Sequence, residues 1–259
     1  QLAVCLRDHG LEVPGELLAV ASHRGPSHQE WRFAQGQDGF AALYHYKGEH
    51  YAMGSAVHYR WKDWGYQETV LHLRIGEKPE AAIWINHPGE VIQLGYGRPS
   101  YWGGCGTVPR VQQYRGLAIA GFDVHEDQPE FSHAWFPRAE FEESRVSANR
   151  ALARSGKGVA VLIGSGELLP VGEGPSAGTE LRLAGRKTRW IVRLAETGDL
   201  AAAEARYAGL TAEMSEDGTI TVNDPDYGPV RFLADGSVNA EGRTLRREDY
   251  TVKGEAIML

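Results

Sequence analysis

Alternation of apolar and polar residues runs through most of the chain and is its strongest structural signal. In the segment 51–61, most alternate residues from position 51 onward are large and apolar or aromatic. A period of two sends successive side chains to opposite faces of a β-strand. The small residues Ala52, Gly54 and Ala56 therefore share one face. We expect either another sheet or a substrate cleft to lie closely over that face.

Short alternating segments recur along the chain, separated by turn-forming residues that are typical of antiparallel strands. Hairpins are predicted at Arg115-Gly116 and at residues 155–158. A third hairpin is predicted at Gly185-Arg186, joining a strand over residues 179–183 to a strand over residues 188–194.

Residues 199–209 form the one clear helical pattern, with three consecutive alanines and Gly209 as the stop. The sequence therefore predicts an all-β protein, a large antiparallel β-sandwich of the supersandwich kind with one short helix and a small C-terminal β appendix. The expected organisation is a sandwich domain over residues 1–195, a helical linker over 196–210 and the appendix over 211–259.

The composition fits a folded domain with a sizeable core. The chain has 259 residues, of which 42% are hydrophobic and 24% charged, and its formal net charge is −7. The acidic balance argues against a nucleic acid or an anionic membrane surface as the partner. It does not exclude an acidic substrate, because a binding site can be locally basic. No stretch is long enough to predict a membrane span.

Cysteine usage adds little about the cellular compartment. The only cysteines are Cys5 and Cys105, and their separation predicts neither a zinc site nor a disulfide framework. The sequence is compatible both with two reduced thiols and with one disulfide between these two distant cysteines. Secreted, periplasmic and cytoplasmic locations stay open as well.

One glycine-rich region of the first half combines titratable side chains with aromatic rings. His87 could exchange a proton near neutral pH, and Tyr101 could donate or accept one. Arg98 and Arg110 could each hold a carboxylate through paired hydrogen bonds, and Trp102 offers a face for stacking. The alternative is a turn between two strands in which the aromatic rings close one end of the core.

All ten histidines lie at or before His133, so imidazole chemistry must fall in the first half of the chain. Asp123, His125 and His133 could form a metal site. Their spacing is not that of an established zinc motif, and we expect no metal cofactor.

Six short motifs follow one another in a fixed order over the first half. They are Tyr51-Ala52-Met53-Gly54-Ser55-Ala56, Gly65-Tyr66-Gln67-Glu68, Asn86-His87-Pro88-Gly89, Arg98-Pro99-Ser100-Tyr101-Trp102-Gly103-Gly104, Val108-Pro109-Arg110-Val111-Gln112-Gln113-Tyr114 and His133-Ala134-Trp135-Phe136-Pro137. Together they resemble the β-sandwich half of bacterial polysaccharide-degrading proteins similar to the heparinase II/III and alginate-lyase group.

In that group an (α/α) toroid precedes the sandwich, and the substrate cleft lies between the two. This chain contains no candidate for a toroid. The resemblance therefore implies that the sandwich supplies one wall of a cleft for an acidic polysaccharide or oligosaccharide. It also implies that a toroid is provided by a missing segment or by a separate chain.

The reaction that the resemblance implies is β-elimination on a uronic-acid glycan. Such a reaction needs a group that neutralises the carboxylate, a base that removes the adjacent proton and an acid that protonates the leaving oxygen. The candidates for catalysis are His87 or Tyr101 as base, Tyr101 as acid, and Arg110 as neutralising group, a role that Arg98 or Asn86 could also fill. The candidates for substrate binding are Tyr66, Gln67, Glu68, Asn86, Arg98 and Trp102.

Two other functions stay open. A glycoside hydrolase needs two carboxylates at a defined separation, for which Glu68, Glu90 and Asp123 are candidates. A non-catalytic carbohydrate-binding or structural module would use aromatic side chains as stacking platforms. The candidates for that role are Trp61, Trp64, Tyr66 and Trp102.

Overall fold

The computed structural model describes residues 6, 9–22, 28–35, 41–57, 59–65, 68–89 and 100–250. Its dominant feature is antiparallel β-structure in three sheets of eight, six and five strands. The all-β sandwich predicted from the alternating pattern is thereby confirmed. Among the helices in these ranges, none is long and apolar enough to cross a membrane.

The first sheet has eight strands, labelled here in chain order. They are β1 (Gln29–Gln35), β2 (Ala41–Lys47), β3 (Tyr51–Val57), β4 (Leu71–Ile75), β5 (Ala82–Asn86), β8 (Phe131–Trp135), β12 (Leu168–Pro170) and β13 (Glu180–Ala184). Their order across the sheet is β1-β2-β3-β4-β5-β8-β13-β12.

The second sheet has six strands. They are β6 (Arg110–Tyr114), β7 (Leu117–Asp123), β9 (Glu143–Ser147), β10 (Arg150–Ser155), β11 (Gly158–Gly164) and β14 (Lys187–Glu196). Their order is β6-β7-β14-β11-β10-β9.

The main core lies between these two sheets. On β3 and β4 every second residue is buried, as expected for strands with one covered face. Strand β11 is buried along its whole length. Across the interface, the hydroxyl of Ser55 donates a hydrogen bond of 2.5 Å to Gln113 Oε1, which satisfies two buried polar groups. The face of β3 that carries Ala52, Gly54 and Ala56 points away from this core.

Two of the three predicted hairpins are confirmed by strand pairing. Strand β6 pairs with β7, and β10 pairs with β11. The third prediction is wrong in its pairing, although both strands exist. Strand β13 pairs with β8 and β12 in the first sheet, whereas β14 pairs with β7 and β11 in the second. The turn at Gly185, whose φ is +114°, therefore carries the chain from one sheet to the other.

The third sheet is the predicted C-terminal β appendix. Its strands follow chain order: β15 (Ala212–Met214), β16 (Ile220–Asp224), β17 (Gly228–Phe232), β18 (Val238–Ala240) and β19 (Arg243–Leu245).

The predicted helix forms where the alanine-rich pattern placed it. Helix α2 (Leu200–Arg206) begins after Asp199, whose side chain accepts hydrogen bonds from the amides of Ala201 and Ala202. A second helix, α1 (Gly15–Ser22), precedes β1 and adds to the one short helix that was predicted. Two 3-10 turns cover Arg138–Glu140 and Arg247–Asp249.

Candidate functional site

One row of directly opposed residues crosses the outer face of the first sheet. Because opposed residues on neighbouring strands project to the same side, the row brings aromatic and imidazole side chains from several strands onto one surface. With the exception of Glu180, its members are partly or well exposed. In order across the sheet they are Trp31, His45, Gly54, His72, Trp84, Trp135 and Glu180.

Gly54, at the centre of this row, has no side chain, and this leaves a groove. Gly54 and its small neighbours on β3 form the floor, below a volume of about 550 Å³. A Cβ atom on Gly54 would lie 2.9 Å from His45 Nδ1, so the imidazole packs against bare backbone. The ring of Phe33 stacks on His45 at 5.6 Å and 9°. The groove walls are formed by Trp31, Leu43, His45 and Lys47 on one side and by Thr69, His72 and Arg74 on the other.

The groove is locally basic although the whole chain carries a net charge of −7. Its described lining contains Lys47 and Arg74 and no carboxylate. Burial lowers the pKa of His45 and of His72, so both imidazoles are neutral near pH 7. The positive charge of the groove therefore comes from the lysine and the arginine.

Beyond β4 the row continues as a packed aromatic cluster. His72 lies 5.9 Å from Trp84, which stacks on Trp135 at 5.0 Å and 7°. Trp102 meets Trp135 edge-on at 5.2 Å and stacks on His133 at 4.1 Å. The glycine-rich loop singled out in the sequence therefore packs on the same face as the groove.

Tyr101, next to Trp102, belongs to a hydrogen-bonded cluster around one buried carboxylate. The Tyr101 hydroxyl donates to Glu180 Oε1 at 2.6 Å and accepts from Arg182 at 2.8 Å. Arg182 Nε also donates to Glu180 Oε1, at 2.8 Å. His133 Nδ1 lies 3.1 Å from the same oxygen, which identifies Nδ1 as the protonated nitrogen because a carboxylate can only accept.

The cluster fixes the protonation states of its members. Burial alone would raise the pKa of Glu180, but hydrogen bonds from His133, Arg182 and Tyr101 outweigh it and lower that pKa to about 2. Burial and the neighbouring Glu180 raise the pKa of Tyr101 to about 12. Near neutral pH Glu180 is ionised and Tyr101 is protonated, so Tyr101 cannot take a proton there, and its raised pKa makes it a weaker acid than a free tyrosine.

His87 lies apart from this cluster. It follows β5 and is 0% exposed, with its Nε2 2.8 Å from the carbonyl oxygen of Pro129. Burial lowers its pKa to about 4, although the Pro129 bond opposes this shift. The described contacts of His87 do not include Tyr101. The predicted pairing of these two residues as base and acid is thus not assembled here, and the catalytic role of His87 stays a prediction.

Asn86, proposed for substrate binding, positions the loop instead. Its Nδ2 donates to the carbonyl oxygens of Trp102, at 3.1 Å, and Gly104, at 2.8 Å. Glu68 accepts a hydrogen bond of 2.8 Å from the Tyr59 hydroxyl. Both residues serve loop geometry, and neither lines the groove over β3.

Arg110, the third catalytic candidate, lies at a different place. Its guanidinium donates to the carbonyl oxygen of Ala234, in the turn between β17 and β18, and lies 5.9 Å from the ring of Trp61. Its described contacts therefore place it at the junction between sandwich and appendix, and they include neither His87 nor Tyr101.

The residues considered for a metal site have separate partners. Asp123 forms an ion pair with Lys62, and His125 Nε2 contacts the Lys62 carbonyl oxygen at 2.6 Å. His133 is held by Glu180. Over the described ranges, no group of three or more His, Cys, Asp and Glu side chains could hold a metal ion.

Cys105 is a free thiol, completely buried, and burial raises its pKa to about 12. It is therefore not a reactive thiolate. Six residues named from the sequence lie outside the described residues: Cys5, Tyr66, Gln67, Glu90, Arg98 and Pro99.

Sequence reasoning missed Glu180 and Arg182 and considered His133 only as a metal ligand. The available signal was the pair of opposite charges two residues apart on a predicted strand, since such a pair projects from one face. Only the strand order, which puts β13 beside β8, shows that they meet His133 and Tyr101.

Comparisons with known proteins find no similarity from which to transfer a role to these residues. No protein-family model matches the chain, and no match is found among curated proteins or solved structures.

Proposed function

We propose that this chain binds an acidic glycan across the outer face of its first sheet and forms one wall of a polysaccharide lyase site. The observation that carries the proposal is the groove over Gly54, which is basic in a chain of net charge −7 and continues into an aromatic cluster. A concave site with a few placed polar groups among aromatic rings is typical of ligand binding.

The groove offers both interactions that a uronate unit needs. Lys47 and Arg74 are cations on its rim, and a guanidinium can hold a carboxylate through charge-assisted hydrogen bonds. The aromatic rings of Trp31 and Trp84 on the same face supply apolar surfaces against which a sugar ring can pack.

The elimination step would use the cluster at the end of the aromatic row. A base removes the proton from the carbon next to the uronate carboxylate, and the electron pair forms a carbon–carbon double bond as the bond to the leaving oxygen breaks. That oxygen takes a proton from Tyr101. Arg182, whose side chain is 40% exposed, is the candidate that neutralises the substrate carboxylate. The base would come from a group outside this sheet that faces this wall, since His87 is completely buried and its lowered pKa, about 4, makes it a weak base.

Non-catalytic glycan binding is the second candidate function, and the burial of His87 favours it. Both candidates predict binding in the groove, and only the lyase predicts turnover. Glycoside hydrolysis finds less support, because Glu68 and Asp123 are engaged with Tyr59 and Lys62, respectively.

Binding of the purified chain to alginate, polygalacturonate and neutral dextran tests the proposal. Wild type should bind a uronate polymer in preference to dextran. Ala52→Leu and Ala56→Leu, which fill the groove floor, and Arg74→Gln, which removes a cation, should each weaken that binding at least tenfold. Arg138→Gln is the matched control, because Arg138 is exposed in a 3-10 turn outside the groove.

Turnover separates the two candidates. Appearance of the ultraviolet absorbance of an unsaturated uronate, lost in Tyr101→Phe, would support the lyase. Binding without that absorbance, also when the part that supplies the base is present, would support the binding module. Undiminished uronate binding in all three groove variants, with unchanged melting temperatures, would refute the proposed site.

A further inference from the structure

A second cavity, of about 350 Å³, lies where the sandwich meets the third sheet. Its sandwich side is formed by Arg60, Trp61 and Arg110, and its appendix side by Ala234, Gly236 and Arg247. None of these residues lines the groove over β3. The two cavities are therefore separate, and a ligand of this one need not be a ligand of the proposed glycan groove.

Three guanidinium groups line this cavity, and its described lining has no carboxylate. Arg60 is paired with Asp63, its Nε lying 3.0 Å from Asp63 Oδ2. Across the described part of the chain, neither Arg110 nor Arg247 has a carboxylate oxygen within ion-pair distance. Two of the three positive charges are thus uncompensated by direct contact.

Arg110 is the more constrained of the two uncompensated cations. It is half-buried, and burial lowers its pKa although the charge of Asp235 opposes this. A guanidinium that is partly removed from water and has no carboxylate in direct contact is unfavourable, and a bound anion would add to the partial compensation from Asp235.

Contacts across the cavity hold its walls in place and leave some N–H donors of the Arg110 guanidinium available to a ligand. Arg110 uses one Nη atom to donate to the Ala234 carbonyl oxygen and lies against Trp61. Gln112, two residues along β6, donates to the carbonyl oxygens of Leu233, at 3.1 Å, and Ser237, at 3.2 Å. The appendix turn that carries Ala234 is therefore held at a set distance from β6.

The rim around Trp61 is backbone-strained. Arg60 and Lys62, on either side of Trp61, both have positive φ, +28° and +67° respectively. Residues other than glycine adopt such values at a cost, and they persist mainly where the surrounding structure or a function holds them. Between these two residues, Trp61 lines the cavity with 51% of its surface exposed.

We propose that this cavity is an oxyanion-binding site in which Arg110 and Arg247 hold a carboxylate, phosphate or sulfate group between the sandwich and the appendix. Arg110 supplies paired donors from one side, and Arg247 supplies a second cation from the 3-10 turn on the other. The anion is either a free ion or the acidic group of a sugar.

Calorimetric titration and thermal unfolding of the full chain test this site, at constant ionic strength set with sodium chloride. The probes are inorganic phosphate, glucuronate and neutral glucose. Because an anion that binds only the folded state stabilises it, phosphate or glucuronate should raise the melting temperature in a concentration-dependent way. Glucose should not. Tighter binding of phosphate identifies a free ion, and tighter binding of glucuronate identifies an acidic sugar.

Variants assign the effect to the cavity. Arg110→Gln and Arg247→Gln should each weaken binding of the anion about tenfold. Arg110→Lys should restore only part of the loss, because an ammonium lacks the paired donors. Arg247→Gln alters an exposed turn, so it tests the site even if Arg110→Gln fails to fold. The control Arg138→Gln should bind as wild type. Equal affinities in wild type and Arg247→Gln, or no binding of either anion, would overturn the proposal.

Discussion

Tyr101 donates a hydrogen bond of 2.6 Å to Glu180, a carboxylate with no exposed side-chain surface. The same carboxylate binds Arg182 and His133. This bond and the bond that Tyr101 accepts from Arg182 attach the glycine-rich loop to β13, while Asn86 holds the loop from β5. The position of the loop therefore depends in part on a charge that lies 79 residues further along the chain.

Removing the Tyr101 hydroxyl should have a moderate effect on stability. In Tyr101→Phe, Glu180 keeps its bonds to Arg182 and His133, but the bond that Tyr101 donates to Glu180 and the bond that it accepts from Arg182 are both lost, together worth about 2 kcal/mol. Glu180→Gln should cost about 3 kcal/mol, because it leaves Arg182 and buried His133 without their anion. Urea unfolding followed by tryptophan fluorescence measures both. A larger loss for Tyr101→Phe than for Glu180→Gln would show that the carboxylate does not organise the cluster.

His87 should make the folded state sensitive to acid. Its pKa falls from 6.5 to about 4 on folding, so below pH 6.5 the unfolded chain binds the proton more readily than the folded one. Stability from this group is complete above pH 6.5 and declines as the pH falls, by about 3 kcal/mol at pH 4. Unfolding free energies measured between pH 7 and pH 4 check this slope.

The control for that titration is His87→Gln, which keeps a side chain that can donate to the Pro129 carbonyl oxygen. This variant should lose less stability than wild type over the same pH interval. Parallel curves for the two proteins would mean that other groups, such as the coupled pair of His133 and Glu180, carry the acid sensitivity.

The period of two was sufficient to predict the sandwich, because strands such as β3 and β4 have one buried and one open face. It also placed Ala52, Gly54 and Ala56 together on one side. It could not say which strands are neighbours. Strand β13 follows the same local pattern whether it pairs with β14 or with β8, since pairing depends on contacts that are distant in the chain.

The candidate site, like the strand arrangement, could be predicted only in part from the sequence. The loop with Tyr101 and Trp102 stood out by residue type, and the structure places it beside the groove. Residue type alone could not show that His87 is buried or that Arg110 faces the third sheet. Glu180 was missed because its role arises only when β13 lies beside β8.

The turn between β10 and β11 should tolerate no side chain at Gly158. A Cβ atom there would lie 2.2 Å from the carbonyl oxygen of His50 and 2.7 Å from the amide nitrogen of Gly76, both backbone atoms of the first sheet. Neither atom can move without breaking the hydrogen bond of 2.7 Å from Gly76 to His50. We expect Gly158→Ala to cost about 3 kcal/mol of unfolding free energy.

Gly121→Ala is the matched control, because no heavy atom lies within 4 Å of the added Cβ. Its stability in thermal or urea unfolding should be within about 0.5 kcal/mol of wild type. Wild-type stability in Gly158→Ala would mean that the two sheets are not in contact at this turn.

A buried ion pair joins the second sheet to the third. Arg193 on β14 donates to Asp224 on β16 at 2.7 Å and to Asp226 at 2.6 Å. The side chains of Arg193 and Asp224 are 4% and 0% exposed, and the guanidinium lies 4.3 Å from the ring of Tyr227. Because water cannot replace either partner, removal of one leaves the other as an isolated buried charge.

Arg193→Met should therefore destabilise the protein by about 4 kcal/mol, mostly because the carboxylates of Asp224 and Asp226 lose this counter-ion. The double variant Arg193→Met/Asp224→Asn should be more stable than Arg193→Met alone. The introduced asparagine side chain is neutral, and its oxygen could still accept from the amides of Asp226 and Tyr227. A double-mutant cycle at low and high salt measures the coupling, which should change little with salt because the pair is buried. If the stability losses of the single variants simply add, or if salt abolishes the coupling, the pair is exposed to solvent. The third sheet would then not contact the sandwich at this point.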